Sequence, residues 1–535
     1  MPIQPTYPGV YIEEVPSGVR TITGVATSIT AFIGAAPKGP VDVPTVINNF
    51  GDYERLFGGL NAASTMSFAV RDFYGNGGSQ AIIVRITGAG AVAADLTLPG
   101  SGGDLILEAA STGTWGNNLR VRIDHDTRDN SLTDLFNLTV EEAVTSGGET
   151  RVVSTETFRN VSSSAADSRF LPNVLAGGSS LIRVRKSGST WSIGTARPDV
   201  TLSSLPASSL PPGPAFVRFN QNGVDGGTPD VNDYLGSDSL KTGLFALDNA
   251  DLFNLLCIPP PTREGDTSSD VYAAAATYCE RKRAVLLVDP PSGWGANRDT
   301  AVPNALAGLS AGLGPTGTSA RNAAVYFPRV LQSDPLRDQQ LDVFVPSGMV
   351  AGIIARTDAQ RGVWKAPAGL DAALNGVKGL QIKLTDAENG QLNQVGVNCL
   401  RQFPVNGRVV WGARTLRGAD SLADEYKYLS VRRTALFIEE SLFRGTQWVV
   451  FEPNDEPLWS QIRLNVGAFM QGLFRQGAFQ GTTPRDAYLV KCDKETTTQN
   501  DINAGIVNIV VGFAPLKPAE FVIIKIQQLA GQIET

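Results

Sequence analysis

The sequence predicts a multidomain protein that combines α/β and α+β architecture. The chain has 535 residues, more than one hydrophobic core usually supports, so several domains of about 150 residues each are expected. Residues 240–360 alternate continuous apolar runs with helix-like stretches, which is typical of a sheet covered on both faces. Residues 90–215 are rich in Ser, Thr and Gly and hold short strand-like pieces between turn signals. That pattern indicates an inserted β-rich domain.

The first 90 residues predict mixed α/β structure. Residues 10–12 are a strand candidate between two prolines, and residues 29–33 are another. Apolar side chains in residues 66–74 recur at i, i+3, i+4, i+7 and i+8, which predicts one face of a helix, and Gly75 ends it. Residues 81–84 then form a short apolar run of the buried-strand type.

The second half of the chain repeats this alternation. Residues 252–258, 284–288 and 323–327 are predicted as buried strands. A second helical stripe follows Pro457 and consists of Leu458, Ile462, Val466, Phe469, Met470 and Leu473. Residues 487–490, 506–511 and 521–526 are predicted strands.

These composition shifts predict four segments. Residues 1–89 form a mixed α/β part and residues 90–215 the β-rich insertion, which closes on a Pro/Ser-rich linker. Residues 216–385 form an α/β domain, and residues 386–535 return to mixed α/β structure.

Composition argues against several classes of partner. Lys and Arg number 45 against 52 Asp and Glu, a formal charge of −7, so nucleic-acid binding is disfavoured. The sequence contains no run of 18 apolar residues, so membrane insertion is not predicted. The N-terminus lacks signal-peptide features, so folding in a cytoplasm is expected. The four cysteines form no C-x-x-C pair, which disfavours a zinc site or a disulfide framework. No nucleotide-binding motif is present, and no cofactor or metal is expected.

Catalysis is disfavoured because the chain has one histidine. His125 lies in the β-rich insertion and is predicted to be a solvated surface residue. Residues 346–352 resemble the helix start that carries the nucleophile of subtilisin-like peptidases. The alternative is that Ser347 caps a helix. Without a histidine in the α/β region Ser347 has no general base, so we predict no catalytic residue and no enzyme.

Short sequence blocks follow one another in a defined order along both ends of the chain. They include Pro8-Gly9-Val10-Tyr11, Asn49-Phe50-Gly51-Asp52-Tyr53, Arg361-Gly362-Val363-Trp364-Lys365, Trp411-Gly412-Ala413-Arg414-Thr415, Phe451-Glu452-Pro453-Asn454 and Ala514-Pro515-Leu516-Lys517-Pro518. In this order the blocks resemble the tail sheath family of contractile phages, pyocins and related injection machines. The resemblance covers about residues 1–90 and 340–535.

The resemblance implies a fold and a function. The implied fold has an inner mixed α/β domain formed by both chain ends, a subtilisin-like α/β domain without its triad and an outward-facing β-rich insertion. The implied protein is a structural subunit whose six-fold rings stack helically around an inner tail tube, and whose switch from extended to contracted packing drives tube ejection. Baseplate and tail terminator proteins are the other implied partners, in a virion tail or injection particle assembled in a host cytoplasm. A non-contractile virion shell or tube protein is the alternative.

The resemblance also implies assembly residues, because family members lend terminal strands to neighbouring subunits. The candidate linking strands hold Val10, Tyr11, Ile12 and Val15 near one end and Phe521, Val522, Ile523, Ile524 and Ile526 near the other. The alternative is that both strands pair within their own subunit. A helix of the C-terminal domain faces the tube in this family, and the candidate polar face carries Gln461, Arg463 and Arg475. The alternative there is an ordinary core helix with a solvated face.

Overall fold

The computed structural model describes residues 20–201 and 215–526, which divide into two compact units. The terminal unit contains residues 20–27, 357–367 and 424–526. The central unit contains the other described residues, 28–201, 215–356 and 368–423. The predicted strand at residues 10–12 and the predicted linker at residues 203–214 lie outside the described residues.

The strands of the described chain follow one another from Thr30 to Phe513. They are β1 (Thr30–Gly34), β2 (Thr45–Ile47), β3 (Ala81–Arg85), β4 (Asp95–Leu98), β5 (Leu105–Ala109), β6 (Leu119–Asp124), β7 (Leu135–Ser146), β8 (Glu149–Ser162), β9 (Ile182–Val184), β10 (Lys186–Ser187), β11 (Thr190–Trp191), β12 (Val217–Arg218), β13 (Leu255–Cys257), β14 (Val285–Val288), β15 (Ala323–Phe327), β16 (Val330–Asp334), β17 (Gln340–Phe344), β18 (Gly379–Leu380), β19 (Val397–Phe403), β20 (Gly407–Val410), β21 (Tyr488–Lys491) and β22 (Val510–Phe513).

The α-helices of the described chain lie between these strands. They are α1 (Phe50–Phe57), α2 (Thr65–Gly75), α3 (Leu171–Gly178), α4 (Val231–Leu235), α5 (Ser269–Lys282), α6 (Ala301–Gly312), α7 (Ser347–Arg361), α8 (Asp386–Gln394), α9 (Leu429–Gly445), α10 (Glu456–Arg475), α11 (Pro484–Ala487) and α12 (Gln499–Asn503). None of the helices in the two described stretches combines the length and the hydropathy that a bilayer-crossing segment needs.

An eight-stranded sheet forms the core of the central unit, in the order β2-β3-β1-β13-β14-β15-β19-β20. The six inner strands run parallel, while β2 and β20 pair antiparallel at the two edges. Every residue of β1, β3, β14 and β15 is buried. This burial explains why the sequence shows continuous apolar runs there, because parallel strands are covered on both faces. The structure therefore confirms a mixed α/β multidomain architecture.

The β-rich residues form separate sheets with their own hydrophobic core. One sheet has the order β12-β6-β7-β8, a second has the order β4-β5-β9, and β10 pairs with β11. Side chains along β6 alternate between buried and half-buried, as expected for a strand with one face on a core. The chain enters and leaves this module side by side, because the Gly227 N–H donates to the Ala89 carbonyl at 3.0 Å.

The core of the terminal unit is built on α10. Its buried face carries Ile462, Val466, Met470 and Leu473, as the apolar stripe predicts. Asp455 caps the helix by accepting the Glu456 N–H at 2.7 Å. The segment 20–27 is fixed to α9 of the same unit, since the Val25 N–H donates to Ser441 Oγ at 3.2 Å.

The structure differs from the predicted division at three places. Strands β1 to β3 belong to the sheet of the central unit, although residues 1–89 were assigned to an inner domain with the C-terminal part. Strands β19 and β20 also lie in that sheet, beyond the predicted boundary at residue 385. The predicted boundary at residue 215 precedes β12, which pairs with β6 of the insertion. Sheet membership depends on pairing between distant segments, which periodicity within a segment does not reveal.

Candidate functional site

Ser347 and Asp289 meet at the carboxyl end of the parallel sheet. Ser347 is the first residue of α7, and Asp289 directly follows β14. The Ser347 N–H donates to Asp289 Oδ1 at 2.9 Å, and the Ser347 hydroxyl donates to Asp289 Oδ2 at 2.8 Å. Both residues are almost fully buried. Sequence reasoning found Ser347 and missed Asp289, although an acidic residue after a predicted buried strand was a visible signal.

The carboxyl group of Asp289 is held in a low-dielectric site. Burial raises its pKa to about 7, against the opposing effects of the Ser347 hydrogen bonds and of Arg329. The carboxylate lies at the helix N-terminus, where a negative charge is stabilised by the unpaired N–H groups. The predicted cap is therefore corrected. The Ser347 side chain donates rather than accepts, and Asp289 supplies the capping oxygen.

The pair lacks the imidazole that a Ser-His-Asp triad needs. His125 is the one histidine of the sequence, and its Nε2 lies 2.8 Å from the Pro198 carbonyl oxygen in the β-rich module. It is half-buried, so the expectation of a solvated surface residue is corrected. The Ser347–Asp289 contact instead ties the start of α7 to the end of β14.

The stretches that the structure describes contain no candidate metal site. No group of three or more His, Cys, Asp or Glu side chains there is placed to hold an ion. The four cysteines are buried and unpaired with one another, and burial raises the pKa of the Cys279 and Cys399 thiols. Raised thiol pKa values disfavour the thiolate that a metal requires.

The segment 521–526 is apolar and exposed. Phe521, Val522, Ile523, Ile524 and Ile526 are between 74% and 93% exposed, and the segment joins none of the sheets formed by the described residues. Contiguous exposed apolar side chains are unusual on a monomer and mark interaction surfaces. The candidate strand with Val10, Tyr11, Ile12 and Val15 lies outside the described residues.

The sheet of the terminal unit, within its described residues, consists of β21 and β22 paired antiparallel. The Ala514 N–H donates to the Ala487 carbonyl at 2.8 Å. Because donors and acceptors alternate along an antiparallel pair, the backbone groups of Val490 point away from the sheet on one edge. Those of Val511 and Phe513 point away on the other. Among the described residues, neither β21 nor β22 pairs with a further strand along its outer edge, and Phe479 forms a single bridge with Pro515 just beyond the end of β22.

The candidate tube-facing residues on α10 divide into two kinds. Gln461 and Arg475 are exposed. Arg463 is half-buried and serves its own subunit, since it donates to the Cys492 carbonyl and pairs with Glu456 at 2.5 Å. Leu464, which sequence analysis did not single out, is 54% exposed on the same helix.

Two family models match the chain. The model of the phage tail sheath protein central domain matches residues 236–416, and the model of the phage tail sheath C-terminal domain matches residues 423–528. Together the two matches cover more than half of the chain.

Curated proteins with similar sequences are tail sheath proteins of phages. The chain is 28% identical to that of Vibrio phage KVP40 over 266 residues, which are 46% of this chain and 38% of the phage protein. It is 25% identical to that of Burkholderia phage BcepMu over 302 residues, which are 52% of this chain and 59% of the phage protein. The chain therefore spans roughly two to three fifths of the length of these two relatives.

Solved structures share the fold over nearly the whole chain. The PVC sheath complex of an extracellular contractile injection system, in its contracted state, gives a TM-score of 0.57 at 21% identity and covers 98% of this chain and 99% of that chain. A sheath tail protein from Listeria innocua gives a TM-score of 0.59 at 14% identity and covers 93% and 96%. At these identities the likeness shows the fold alone.

Proposed function

Since the chain belongs to the phage tail sheath protein family, we propose that it is a structural subunit of a contractile tail sheath that polymerises helically around an inner tube. The observation that carries this proposal is the exposed apolar segment 521–526 in a unit whose two-stranded sheet pairs with no further strand among the described residues. An exposed apolar segment and a sheet edge, both unpaired within the described part of the chain, are complementary surfaces for a second copy.

In the proposed linkage, segment 521–526 of one subunit adds to the β21–β22 sheet of the next. Main-chain hydrogen bonds supply the affinity. The apolar side chains of the added strand point alternately to its two sides and so extend both faces of the sheet. The segment with Val10, Tyr11, Ile12 and Val15 is the proposed second linking strand. Such a contact joins different surfaces of two copies, so it is heterologous and continues into a helical polymer.

The proposed contraction uses two arrangements of the same folded subunits. Packed interfaces switch between discrete states, so an extended arrangement can persist until it is released. A gain of order a few kcal/mol per subunit, comparable with folding stabilities, adds along the many copies of a polymer. Six-fold rings stacked around an inner tail tube, with baseplate and tail terminator proteins at the ends, are the proposed assembly. The curated relatives are tail sheath proteins of phages, and the chain shares its fold with a sheath complex solved in its contracted state, which supports this choice over a non-contractile shell or tube protein.

The proposed role includes no catalysis. The α/β part of the central unit, predicted at residues 216–385, is proposed to be a subtilisin-like domain without its triad, in which the N–H and hydroxyl of Ser347 donate directly to Asp289. Its contribution is then structural. The proposed locations are a virion tail or an injection particle, after assembly in a host cytoplasm.

Helix α10 is the proposed tube-facing element, through Gln461 and Arg475 with the exposed Leu464 between them. Arg463 is expected to act indirectly, because both of its contacts lie within its own subunit.

Electron microscopy of particles assembled from this chain and its tube protein tests the proposed function. Sheaths of two lengths around a tube of constant length are expected. Particles of a single length under every triggering condition, such as urea or acid treatment, would favour the non-contractile alternative.

A further inference from the structure

Phe451 is an exposed aromatic residue in a strained backbone conformation. It lies between α9 and α10, and its side chain is fully exposed, at 103% of the reference area. Its φ of +70° is left-handed, a region that bulky side chains rarely occupy. The preceding residue, Val450, is 63% exposed. The loop therefore presents an apolar tip to the surroundings.

Neither property of Phe451 serves its own subunit. An exposed ring forgoes the favourable burial of its apolar area, and a left-handed φ adds strain that glycine would relieve. Strained residues persist mainly at functional sites, and buried aromatic anchors dominate the energetics of many protein interfaces. The tip thus has the character of an interface anchor.

A groove of about 330 Å³ lies in the same terminal unit, beside the segment 20–27. Its apolar walls include Ile22, Phe437, Phe469 and Leu473. This volume is ample for an aromatic side chain. The groove does not contain Phe451 of its own chain.

Asn465 supplies the polar group of this groove. It is 1% exposed, and its Oδ1 accepts the Arg20 N–H at 3.1 Å. Its Nδ2 has no hydrogen-bond partner in the part of the chain that the structure describes. Buried donors in native proteins are normally satisfied, so the groove is suited to an occupant that brings an acceptor. The tip has such acceptors, because the carbonyl oxygens of Val450 and Phe451 accept no hydrogen bond within the described residues.

We propose that Phe451 of one subunit inserts into this groove of a neighbouring copy. The inference rests on the proposed polymer and names a contact between its subunits besides the terminal strand. The tip and the groove are different surfaces of one unit, so the contact is heterologous and compatible with an open-ended assembly. The ring fills the apolar walls, and the tip carbonyls approach the unsatisfied amide of Asn465.

Substitution at Phe451 tests the contact in the full-length chain. Phe451→Ala is expected to raise the critical concentration for polymerisation at least tenfold, since an anchor residue is lost. Phe451→Gly is expected to do the same while the Tm of the monomer stays level or rises, because glycine accepts the left-handed φ. Val405→Ala is the matched control, because Val405 is 93% exposed in the central unit. It should leave the critical concentration unchanged.

Cross-linking locates the partner of the tip. The four native cysteines are buried, so Val450→Cys combined with Ala468→Cys at the groove is expected to give disulfide-linked multimers on mild oxidation of polymers. Each single variant should give none. Polymers that form normally from Phe451→Ala and Phe451→Gly would overturn the inference while leaving the sheath proposal intact. A cross-link within one chain, or from the tip to the tube protein alone, would also overturn it. Failure of the unaltered chain to polymerise with tube would instead contradict the proposed function.

Discussion

Arg433 and Asp358 form a buried ion pair that joins three segments of the terminal unit. The guanidinium donates to Asp358 Oδ1 at 2.8 Å and to Oδ2 at 2.5 Å. Thr27 takes part twice, since its hydroxyl donates to Asp358 Oδ2 at 2.7 Å and its carbonyl accepts from Arg433 at 2.8 Å. The side chains of Arg433 and Asp358 are only 3% and 4% exposed. The pair therefore fixes segment 20–27 to α9 and to the end of α7.

Removing one partner of this pair should unfold the terminal unit more readily. Arg433→Met is expected to cost about 3–5 kcal/mol, because it leaves the Asp358 charge buried without compensation. The combined change Arg433→Met with Asp358→Leu should cost less than Arg433→Met alone. Urea unfolding of the monomer measures both. Equal losses in the single and double variants would contradict this account.

Asp289 predicts a pH dependence of stability in the central unit. Burial raises the pKa of its carboxyl from 3.8 to about 7, so the folded state binds more protons than the unfolded state between these values. The free energy of unfolding should therefore fall as pH rises from about 4 to 7, by up to a few kcal/mol from this group. Asp289→Asn should remove that part of the slope and keep an oxygen for the Ser347 N–H.

Asp72 is the internal control for this measurement. Burial raises its pKa to about 6, so part of the slope should persist in Asp289→Asn. An unchanged slope in the variant would show that the Asp289 carboxyl does not titrate differently on folding.

The β-rich module should be removable at Gly88 and Gly227. The chain enters the module near Gly88 and leaves it near Gly227, where the two segments lie side by side. Strand β12 belongs to the module. Replacing residues 90–225 with a short Gly/Ser linker is expected to leave a folded central unit that still polymerises. The same excision ending at residue 215 should yield less folded protein, because it keeps β12 and removes its partner strand β6. Circular dichroism and sedimentation compare the two. Insoluble protein from both designs would show that the module is part of the central core.

The face of α10 predicts different results for its two arginines. Arg475→Glu should weaken decoration of tube at least several-fold and leave the Tm of the monomer within a few degrees, since Arg475 is exposed. Arg463→Glu should instead lower the Tm, because it breaks contacts to Glu456 and Cys492. Co-sedimentation with tube and thermal unfolding separate these effects. Normal decoration by Arg475→Glu would remove this face from the interface.

Local sequence patterns predicted much of the fold. The stripe from Leu458 to Leu473 placed α10 correctly, because helical periodicity is a property of neighbouring residues. The buried runs at β3, β14 and β15 were likewise visible, since parallel strands are apolar throughout.

Contacts between distant residues were not predictable in this way. Asp358 and Arg433 are 75 positions apart, and Thr27 is 406 positions from Arg433. The sequence places Arg463 on a polar face, but its partner, the carbonyl of Cys492, lies 29 residues away and directly after β21. The sequence shows Phe451 only as part of a short block. Its left-handed φ and its full exposure are properties of the folded chain that this block does not reveal.

The most direct test of the sheath account is truncation after Glu520. Segment 521–526 is exposed and joins no sheet in the part of the chain that the structure describes, so its loss should shift the Tm of the monomer by no more than a few degrees. The truncated chain should nevertheless fail to form linked rings or helical polymers on tube, as seen by electron microscopy. Ile524→Pro should act alike, because proline removes a ladder donor. Normal polymers from the truncated chain, or an unfolded monomer, would contradict the claim that this strand links neighbouring subunits.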